Sequence, residues 1–460
     1  MRTDTIAAIA TGMSNSGIGI VRVSGENSAD IVDKIFRPGN KRTKLTHAES
    51  HTIHYGHIFD GEEMLDEVMV SVMKRPRSFT AENTVEINCH GGILIMNRIL
   101  ELVIRSGARL AEPGEFTKRA YLNGRIDLAQ AEAVIDVISS KNDMALSGSV
   151  RQLKGRVSKK IKEFREEILY EIAYIESALD DPEHISLEDY PSRLSVKIEE
   201  LIKSTGGLIS SFDNGKILKE GINTVIVGKP NVGKSSLLNL LVGKERAIVT
   251  DKAGTTRDII EECINLHGIS LNIIDTAGIR FTEDIVEKIG VERARRTAQD
   301  ADIVIYVVDS SVELNENDYE ILELIQDKKC IILLNKTDLE SVVTAEDLKS
   351  RVEGDVSIIK TSTRDNTGID EFEKEIKRMF FGGLIRNNEE IIITNLRHKE
   401  ALMNAHESLL QVKKSIENNM PEDFYSIDLM NAYSSLGFII GEEVEEDLIN
   451  KIFSEFCMGK

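Results

Sequence analysis

The sequence predicts a mixed fold, in which an α/β nucleotide-binding domain is inserted into a helical domain and an α+β domain comes first. Three observations lead to this prediction. Short β-like runs dominate the N-terminal quarter, β runs alternate with helical stretches between about 217 and 380, and helical periodicity flanks that region on both sides. Alternating strands and helices indicate a parallel sheet with helices on both faces.

The chain divides into four predicted segments: 1–118, 119–215, 216–381 and 382–460. The second and fourth are helical, so the simplest architecture packs them together as one discontinuous domain around the third. Two separate helical domains are the alternative. Asn214-Gly215, at the end of the second segment, predicts a hinge.

The first segment mixes strands with one clear helix. Its β-like runs lie at 17–23, 68–73 and 84–88, and the apolar stretch 93–104 indicates a helix. From Ile126 onward the apolar spacing changes from two to 3.6 residues, as in Leu128, Ala131, Ile135 and Ile138. A second helical run over 161–179 ends at Asp180-Asp181-Pro182, and a third covers about 192–212.

The third segment contains five predicted strands, and the fourth is helical. The strands lie at 224–227, 271–274, 303–308, 330–334 and 356–360. After Gly382-Gly383 the chain returns to helix, because Leu402, Ala405, Leu409, Val412 and Ile416 are spaced by three and four residues.

Composition restricts the function classes. The chain has 460 residues and a net charge of −20, which argues against a non-specific nucleic-acid coat but leaves room for a local basic patch or a basic partner. Its four cysteines lack metal-ligand spacing, which is typical of a reducing compartment. No apolar run approaches a membrane span, and Lys460 is a poor end for a prenylation box at Cys457. We therefore expect a cytoplasmic protein without a membrane partner.

A phosphate-binding loop lies between the first β run of the third segment and a helix. Gly228-Lys-Pro-Asn-Val-Gly233-Lys234-Ser235 matches the motif in full, and the apolar helix 236–242 follows it. The glycines let backbone N–H groups turn toward the phosphates. Lys234 supplies a positive charge to the β/γ oxygens, and the Ser235 hydroxyl is a ligand for Mg²⁺.

Further motifs predict that the nucleotide is GTP. Asp338, in Asn335-Lys-Thr-Asp338, can accept both guanine N1–H and N2–H, donors that adenine lacks in this geometry. Ser362 and Thr363 fit the loop that contacts the base oxygen. Thr256 fits the first switch as a ligand of Mg²⁺ and the γ-phosphate, and Asp275-Thr-Ala-Gly278 fits the second switch. Together these motifs predict a GTPase.

One position lacks the usual catalytic group. Where a Ras-like GTPase has a glutamine that orients the attacking water, this chain has Ile279, whose alkyl side chain cannot hydrogen-bond to water. Glu283, Asp284 and Glu287 are the nearby acids, and the residues alone do not choose among them.

The whole chain resembles the MnmE (TrmE) family of tRNA modification GTPases. Beyond the GTPase motifs, the resemblance depends on strings that are more selective: Gly17-Ile-Gly-Ile-Val-Arg22-Val-Ser-Gly25, Ser78-Phe-Thr-Ala-Glu82, Glu86, His90-Gly-Gly92, Pro113-Gly-Glu-Phe116, Asp127-Leu-Ala-Gln-Ala-Glu132 and Phe456-Cys-Met-Gly-Lys460.

The resemblance implies a dimerising N-terminal domain that binds 5-formyl-tetrahydrofolate or a related tetrahydrofolate, a discontinuous helical domain and an inserted G domain. It implies a homodimer that works with the FAD-dependent protein MnmG. Together they would add a carboxymethylaminomethyl or aminomethyl-type group to C5 of the wobble uridine (position 34) of certain tRNAs. The folate carbon unit would be the source. Given the acidic chain, we expect MnmG to supply most of the tRNA affinity.

The resemblance also implies the site residues. Folate would meet Arg22, Glu86, Arg125 and Lys460. K⁺ would be held by Asn231, Thr250, the backbone carbonyl of Lys252 and Thr255, beside the Mg²⁺ that the motifs assign to Ser235 and Thr256. Glu287 would be the catalytic acid that positions water. The expected GTP-binding set is Asn231, Val232, Gly233, Lys234, Ser235, Ser236, Thr250, Asp251, Lys252, Ala253, Gly254, Thr255, Thr256, Asp275, Thr276, Ala277, Gly278, Asn335, Lys336, Asp338, Ser362 and Thr363.

Some questions stay open at this stage. The family often has an arginine where this chain has Ser14-Asn15-Ser16, and commonly lysine at Arg125, differences that bear on folate affinity. Cys457 is either a nucleophile in the folate pocket or a small apolar filler. The competing function is a regulatory GTPase that binds ribosomes or RNA and performs no group transfer.

Overall fold

The computed structural model describes the following residues: 4–39, 44–244, 260–266, 268–274, 301–326, 328–352, 356–381, 391–442, 444–454, 456 and 459. The chain forms two compact units. The first contains 1–135, 151–194 and 407–460, and the second contains 136–150 and 195–406.

The first unit contains a seven-stranded sheet in the order β3-β4-β5-β6-β2-β1-β7, antiparallel except where β1 pairs with β7. Its strands are β1 (Ile6–Ile9), β2 (Ser16–Ser24), β3 (Phe36–Pro38), β4 (Thr52–Asp60), β5 (Glu63–Met73), β6 (Thr84–Gly91) and β7 (Arg109–Leu110). Its first helices are α1 (Ser28–Asp33), α2 (Ile93–Arg105) and α3 (Glu115–Leu122), with a 3₁₀ turn at Leu45–His47. Side chains such as Val21, Val23 and Ile99 form the core on one face of this sheet.

A run of helices follows the first sheet. The bounds are α4 (Leu128–Ser139), α5 (Asp143–Leu153), α6 (Arg156–Asp180), α7 (Tyr190–Ser210) and α8 (Phe212–Glu220). In the first unit, α6 packs on the later helix α14 (Glu422–Ile440). The Ser426 hydroxyl donates to Glu176, and Arg165 pairs with Glu442. Helices from the two flanking segments therefore pack together, as the insertion architecture predicts.

The second unit contains a six-stranded sheet in the order β13-β12-β11-β8-β10-β9. In chain order its elements are β8 (Ile222–Val227), α9 (Lys234–Lys244), β9 (Ile260–Leu266), β10 (Ile269–Ile274), β11 (Ile303–Asp309), α10 (Glu316–Leu324), β12 (Cys330–Asn335), α11 (Ala345–Lys349), β13 (Val356–Lys360) and α12 (Ile369–Phe381). Leu237 and Phe372 cover one face of the sheet, whereas Ile321 and Leu348 cover the other. The remaining described helices are α13 (Leu396–Glu417) and α15 (Glu446–Ser454).

The predicted fold class is confirmed, and two local predictions are wrong. The sheet of the second unit is parallel except at its edge, where β9 pairs antiparallel with β10. The turn between them contains Gly268 at φ 90°, which a side chain rarely tolerates and which allows a tight reversal. Asn214 and Gly215 form no hinge, because both lie inside α8. A Cβ at Gly215 would collide with the carbonyl oxygen of Ile393, so this glycine permits close packing.

Among the described residues, no helix combines the length and the apolar character that crossing a membrane would require.

Candidate functional site

The phosphate-binding loop connects the end of β8 to the start of α9. Three of its residues have positive φ: Gly228 at 148°, Asn231 at 60° and Gly233 at 106°. This backbone brings Lys234 back over the loop, where its ammonium donates to the carbonyl oxygens of Gly228 and Lys229, both at 2.6 Å. Ser235 and Ser236 follow in the first turn of α9 and are exposed. The helix N-terminus and the ammonium group form an arrangement suited to an anion.

A buried ion pair holds the outer side of this loop. The Lys229 ammonium lies 2.6 Å from Asp318 Oδ2, and the Tyr306 hydroxyl donates to Asp318 Oδ1 at 2.8 Å. The Asp318 side chain is completely buried, so both of its oxygens need these partners. Burial, with the bond to Asp318, raises the pKa of Tyr306 far above its usual value, and the phenol stays a donor. The anchor fixes one side of the loop to α10.

Asn335, at the end of β12, connects two loops of the site. Its side-chain amide donates to the carbonyl oxygen of Val232 in the phosphate-binding loop at 2.8 Å. Its Oδ1 accepts from the Thr363 N–H at 3.2 Å and from the Thr361 hydroxyl at 3.4 Å. Gly233 lies so close that a Cβ there would collide with the Asn335 amide. Asn335 thus joins the phosphate loop to the loop after β13.

Asp338 lies beside that second loop. Its Oδ1 accepts from the Ser362 hydroxyl at 2.8 Å, and Arg364 Nη1 lies 3.9 Å from its Oδ2. The bond from Ser362 holds the carboxylate in one position, and because the side chain is 15% exposed, it remains accessible to a ligand. Ser362 orients Asp338, and the Thr363 N–H bonds Asn335. Predicted guanine-site residues from both loops therefore come together.

Lys336 has a left-handed backbone, with φ 62°, and its ammonium lies 2.6 Å from Asp309 Oδ2 at the end of β11. Burial acts to raise the pKa of Asp309, but bonds from Lys336 and Ser311 outweigh it and hold that pKa below the usual value. The charged pair fixes the loop in which Asp338 lies.

We expect GTP binding to take up a proton at alkaline pH. Burial lowers the pKa of the Lys234 ammonium to about 8, whereas the phosphates of a nucleotide favour its charged form. Affinity should be nearly constant below that pKa and fall above it, by at most about tenfold per pH unit. Calorimetry in two buffers of different ionisation enthalpy should give about 0.9 proton taken up at pH 9 and about 0.1 at pH 7. Equal uptake at both pH values would contradict this linkage, and Lys234→Arg, which stays charged throughout, should show none.

A second cluster lies on the β2–β6 pair of the first unit. Arg22 Nε donates to Glu86 Oε1 at 2.7 Å across the two strands, and Arg22 Nη1 donates to the Gly459 carbonyl oxygen at 3.3 Å. The Arg22 guanidinium lies 5.9 Å from the ring centroid of Phe79, and the Arg125 guanidinium lies 5.1 Å from it. Arg22 and Arg125 thus both lie near Phe79, and Glu86 joins them through its bond with Arg22.

The cluster can bind a flat polar ring. Phe116 lies 5.6 Å from the Arg22 guanidinium and offers a second aromatic face. Glu86 supplies a carboxylate for paired N–H donors, and the exposed Arg125 supplies a positive charge for carboxylates. Gly459, at φ 88°, lies against the Ile9 carbonyl oxygen and beside Arg22.

Several predicted residues lie outside the described part of the chain. These are Glu287 with its neighbours Glu283 and Asp284, Cys457, Lys460, and the switch residues Thr250, Asp251, Lys252, Ala253, Gly254, Thr255, Thr256, Asp275, Thr276, Ala277 and Gly278.

Sequence reasoning missed four residues that shape the two sites. Lys229 and Asp318 were available signals, because Lys229 lies inside the loop motif and Asp318 completes the capping box Asn315-x-x-Asp318. Phe79 and Phe116 stand inside strings that carry the family resemblance, but their position beside Arg22 depends on contacts distant in sequence.

Comparison with known proteins identifies the family. Residues 128–457 match the MnmE helical domain, and residues 5–125 match the GTP-binding protein TrmE N-terminus. The tRNA modification GTPase MnmE of Lachnoclostridium phytofermentans is 58% identical over 460 residues, covering 100% of both chains. The proteins of the same name from Acetivibrio thermocellus and Clostridioides difficile are 50% and 49% identical, over 100% and 99% of both chains. This chain therefore belongs to the MnmE family of tRNA modification GTPases.

Proposed function

We propose that this chain hydrolyses GTP in order to modify the wobble uridine of certain tRNAs, together with the FAD-dependent protein MnmG. The product would carry a carboxymethylaminomethyl or aminomethyl-type group at C5 of the uridine. The carbon would come from a tetrahydrofolate bound by a homodimer of this chain. The observation that carries the proposal is the presence of two sites in one family member. Asp338 and Asn335 stand beside a phosphate loop, and a separate Arg22–Glu86 pair lies against aromatic rings.

The proposal also assigns domains. Residues 1–118 would dimerise and bind folate, 119–215 and 382–460 would form the helical domain, and 216–381 would form the G domain.

Deleting the gene tests the function directly. Mass spectrometry of tRNA nucleosides should show loss of the modified wobble uridine, and the intact gene should restore it. If the modified uridine persists in the deletion strain, the regulatory GTPase without group transfer becomes the better reading.

The side chains of Ser235 and Asn231 suit the two proposed metal ions, Mg²⁺ and K⁺. Ser235, in the first turn of α9, has an exposed hydroxyl oxygen of the kind Mg²⁺ prefers, and Thr256 would be its second protein ligand. Asn231 is exposed in the phosphate loop and offers an amide oxygen for K⁺, with Thr250, the backbone carbonyl of Lys252 and Thr255 as further proposed ligands. When bound, these cations neutralise charge that develops on the phosphates.

GTP turnover should therefore depend on K⁺. The predicted G-domain motifs contain no obvious arginine finger. A K⁺ ion beside Asn231 would stabilise the charge of the transition state in place of such an arginine. Two paired G domains would exclude water from this ion. We expect faster turnover in K⁺ than in Na⁺ at equal ionic strength. Equal rates in K⁺ and Na⁺ would contradict the proposed K⁺ site but would leave the GTP-binding site unchallenged.

Folate binding should depend on the Arg22–Glu86 pair. Removing one partner leaves the other charge partly buried without compensation, since their side chains are only 16% and 20% exposed. We expect Glu86→Gln to weaken binding of 5-formyl-tetrahydrofolate by about 10- to 100-fold, because a charge-assisted bond is lost. Calorimetry on the full chain measures this. Glu63→Gln, which changes the exposed pair with Arg98 in the same sheet, is the matched control and should bind as wild type does.

A further inference from the structure

The region where α5 ends and α6 begins has a charge opposite to that of the rest of the chain. Residues 151–162 contain six basic residues and no acidic one, in a chain whose net charge is −20. The basic residues are Arg151, Lys154, Arg156, Lys159, Lys160 and Lys162. Neither the GTP site nor the folate cluster uses any of them.

Three of these lysines are free to meet a ligand. Lys154, Lys159 and Lys162 are exposed, and none of them forms an ion pair within the described part of the chain. By contrast, Lys160 is half-buried and pairs with Glu163 at 3.2 Å. Lys159 and Lys162 are three residues apart on α6, so they lie on the same side of that helix. Exposed cations without internal partners contribute little to folding, and their clustering in an acidic chain indicates an external anion.

The start of α6 adds further groups suited to an anion. Gly155, at φ 80°, precedes a helix of 25 residues whose N-terminus has no side-chain cap. The first N–H groups of a helix have no acceptor within the helix, and its dipole favours negative charge there. An open pocket of about 420 Å³ is lined by Gly155, Ser158, Lys159 and Lys162. Ser158 is 3% exposed, and its hydroxyl has no hydrogen-bond partner among the described residues.

Acidic residues limit this surface on one side. Asp127, Glu163 and Glu166 also line the pocket, so an anion is favoured beside the helix start and repelled from the following turns. A polyanion that follows a line of cations fits this pattern better than one compact multivalent anion, which would have to sit against the carboxylates.

We propose that the basic surface formed by Lys154, Lys159, Lys162 and the N-terminus of α6 binds the phosphate backbone of tRNA. The surface gives this chain its own contact with the substrate RNA, in addition to any contact that a partner supplies. The inference rests on the proposed function in tRNA modification and adds the part of the chain that touches the RNA. The contacts are to phosphates, so they position the RNA without reading its sequence.

The test uses the full-length protein and fluorescein-labelled unfractionated tRNA, with anisotropy measured between 50 and 250 mM KCl. The test variant is Lys154→Gln/Lys159→Gln/Lys162→Gln. The matched control is Lys349→Gln/Lys374→Gln/Lys377→Gln, which makes the same change in net charge at exposed lysines of α11 and α12. Loss of three phosphate contacts should weaken binding by at least about tenfold and reduce the slope of log K against log salt by about three. The control should stay within about twofold of wild type.

Each other outcome is decisive. Equal loss in both triple variants would show a bulk charge effect and overturn the proposal, as would wild-type affinity in the test variant. Binding to phosphatidylglycerol vesicles that the test variant loses, with its tRNA affinity intact, would replace RNA by a membrane surface. The three single Lys→Gln variants should each lower the slope by about one, and unchanged GTP hydrolysis shows that the variants fold. Persistence of the modified uridine in the deletion strain would refute the proposed function, whatever the binding data show.

Discussion

Asp338→Asn is expected to weaken GTP binding by about 2–4 kcal/mol, or roughly 30- to 1000-fold. A carboxylate accepts both guanine N1–H and N2–H, whereas an amide presents one acceptor and one donor, so a charge-assisted pair is lost and a donor faces a donor. Asp338 is held by the Ser362 hydroxyl at 2.8 Å and is largely enclosed, so water cannot readily replace the lost contact. Calorimetry or competition with a fluorescent guanine nucleotide measures the effect.

Xanthosine triphosphate provides the control for this variant. Its base carries a carbonyl group in place of the exocyclic amine, to which the Asn amide can donate. The variant should therefore bind xanthosine triphosphate better than wild type does, which also shows that it is folded. GTP affinity equal to wild type would mean that Asp338 does not read the base.

Glu287→Ala is expected to lower GTP turnover by about 100-fold or more, as for loss of a group that orients water. Ile279 cannot hydrogen-bond to water, and the family resemblance implies that Glu287 orients it instead, directly or through a bridging water. Because this interaction forms mainly in the transition state, GTP affinity should change by less than about threefold, or ~0.6 kcal/mol. Single-turnover hydrolysis separates the two effects.

Glu283→Ala and Asp284→Ala are the matched controls, since each removes one carboxylate from the same segment. Both should hydrolyse GTP at close to the wild-type rate. If the Glu283 or Asp284 variant were inactive while the Glu287 variant stayed active, the assignment of Glu287 as the catalytic acid would be wrong. In the proposed function, hydrolysis drives the switch that modification needs, so the Glu287 variant should also fail to restore modified tRNA in a deletion strain.

Apolar runs predicted the strands of the third segment, whereas the fully buried β1 of the first unit was missed. The five predicted strands of the third segment correspond to β8, β10, β11, β12 and β13. The inner strands β8, β10, β11 and β12 are continuous apolar runs or nearly so, as expected for strands covered on both faces, whereas β13 is a half-buried edge strand. β9 was missed, since Ile260–Leu266 alternates glutamate, cysteine and asparagine with apolar residues at the sheet edge. β4 was missed for a similar reason: Ile53 and Tyr55 are exposed, and two histidines interrupt the strand.

Some site residues could be predicted from the sequence and others could not. Motif spacing predicted the phosphate loop and the guanine loop, because local backbone geometry defines both. The resemblance, and not spacing, suggested Arg22, Glu86 and Arg125, which lie far apart in sequence and meet only through sheet register and Phe79. The sequence marks Lys229 by the loop motif and Asp318 by its capping box, but it does not show that the two form an ion pair, because their contact depends on packing between α10 and the loop.

Asn335 has a thermodynamic consequence for the nucleotide site. One side chain bonds the phosphate loop at Val232 and the base-side loop at Thr363, so neither loop can shift without altering the same amide. Substitutions in the two loops therefore share a partner, and their free energies are not expected to add. A double-mutant cycle that combines one substitution in the phosphate loop with one in the base-side loop would measure this coupling as an interaction free energy. We therefore expect recognition of the base and of the phosphates to be coupled through Asn335.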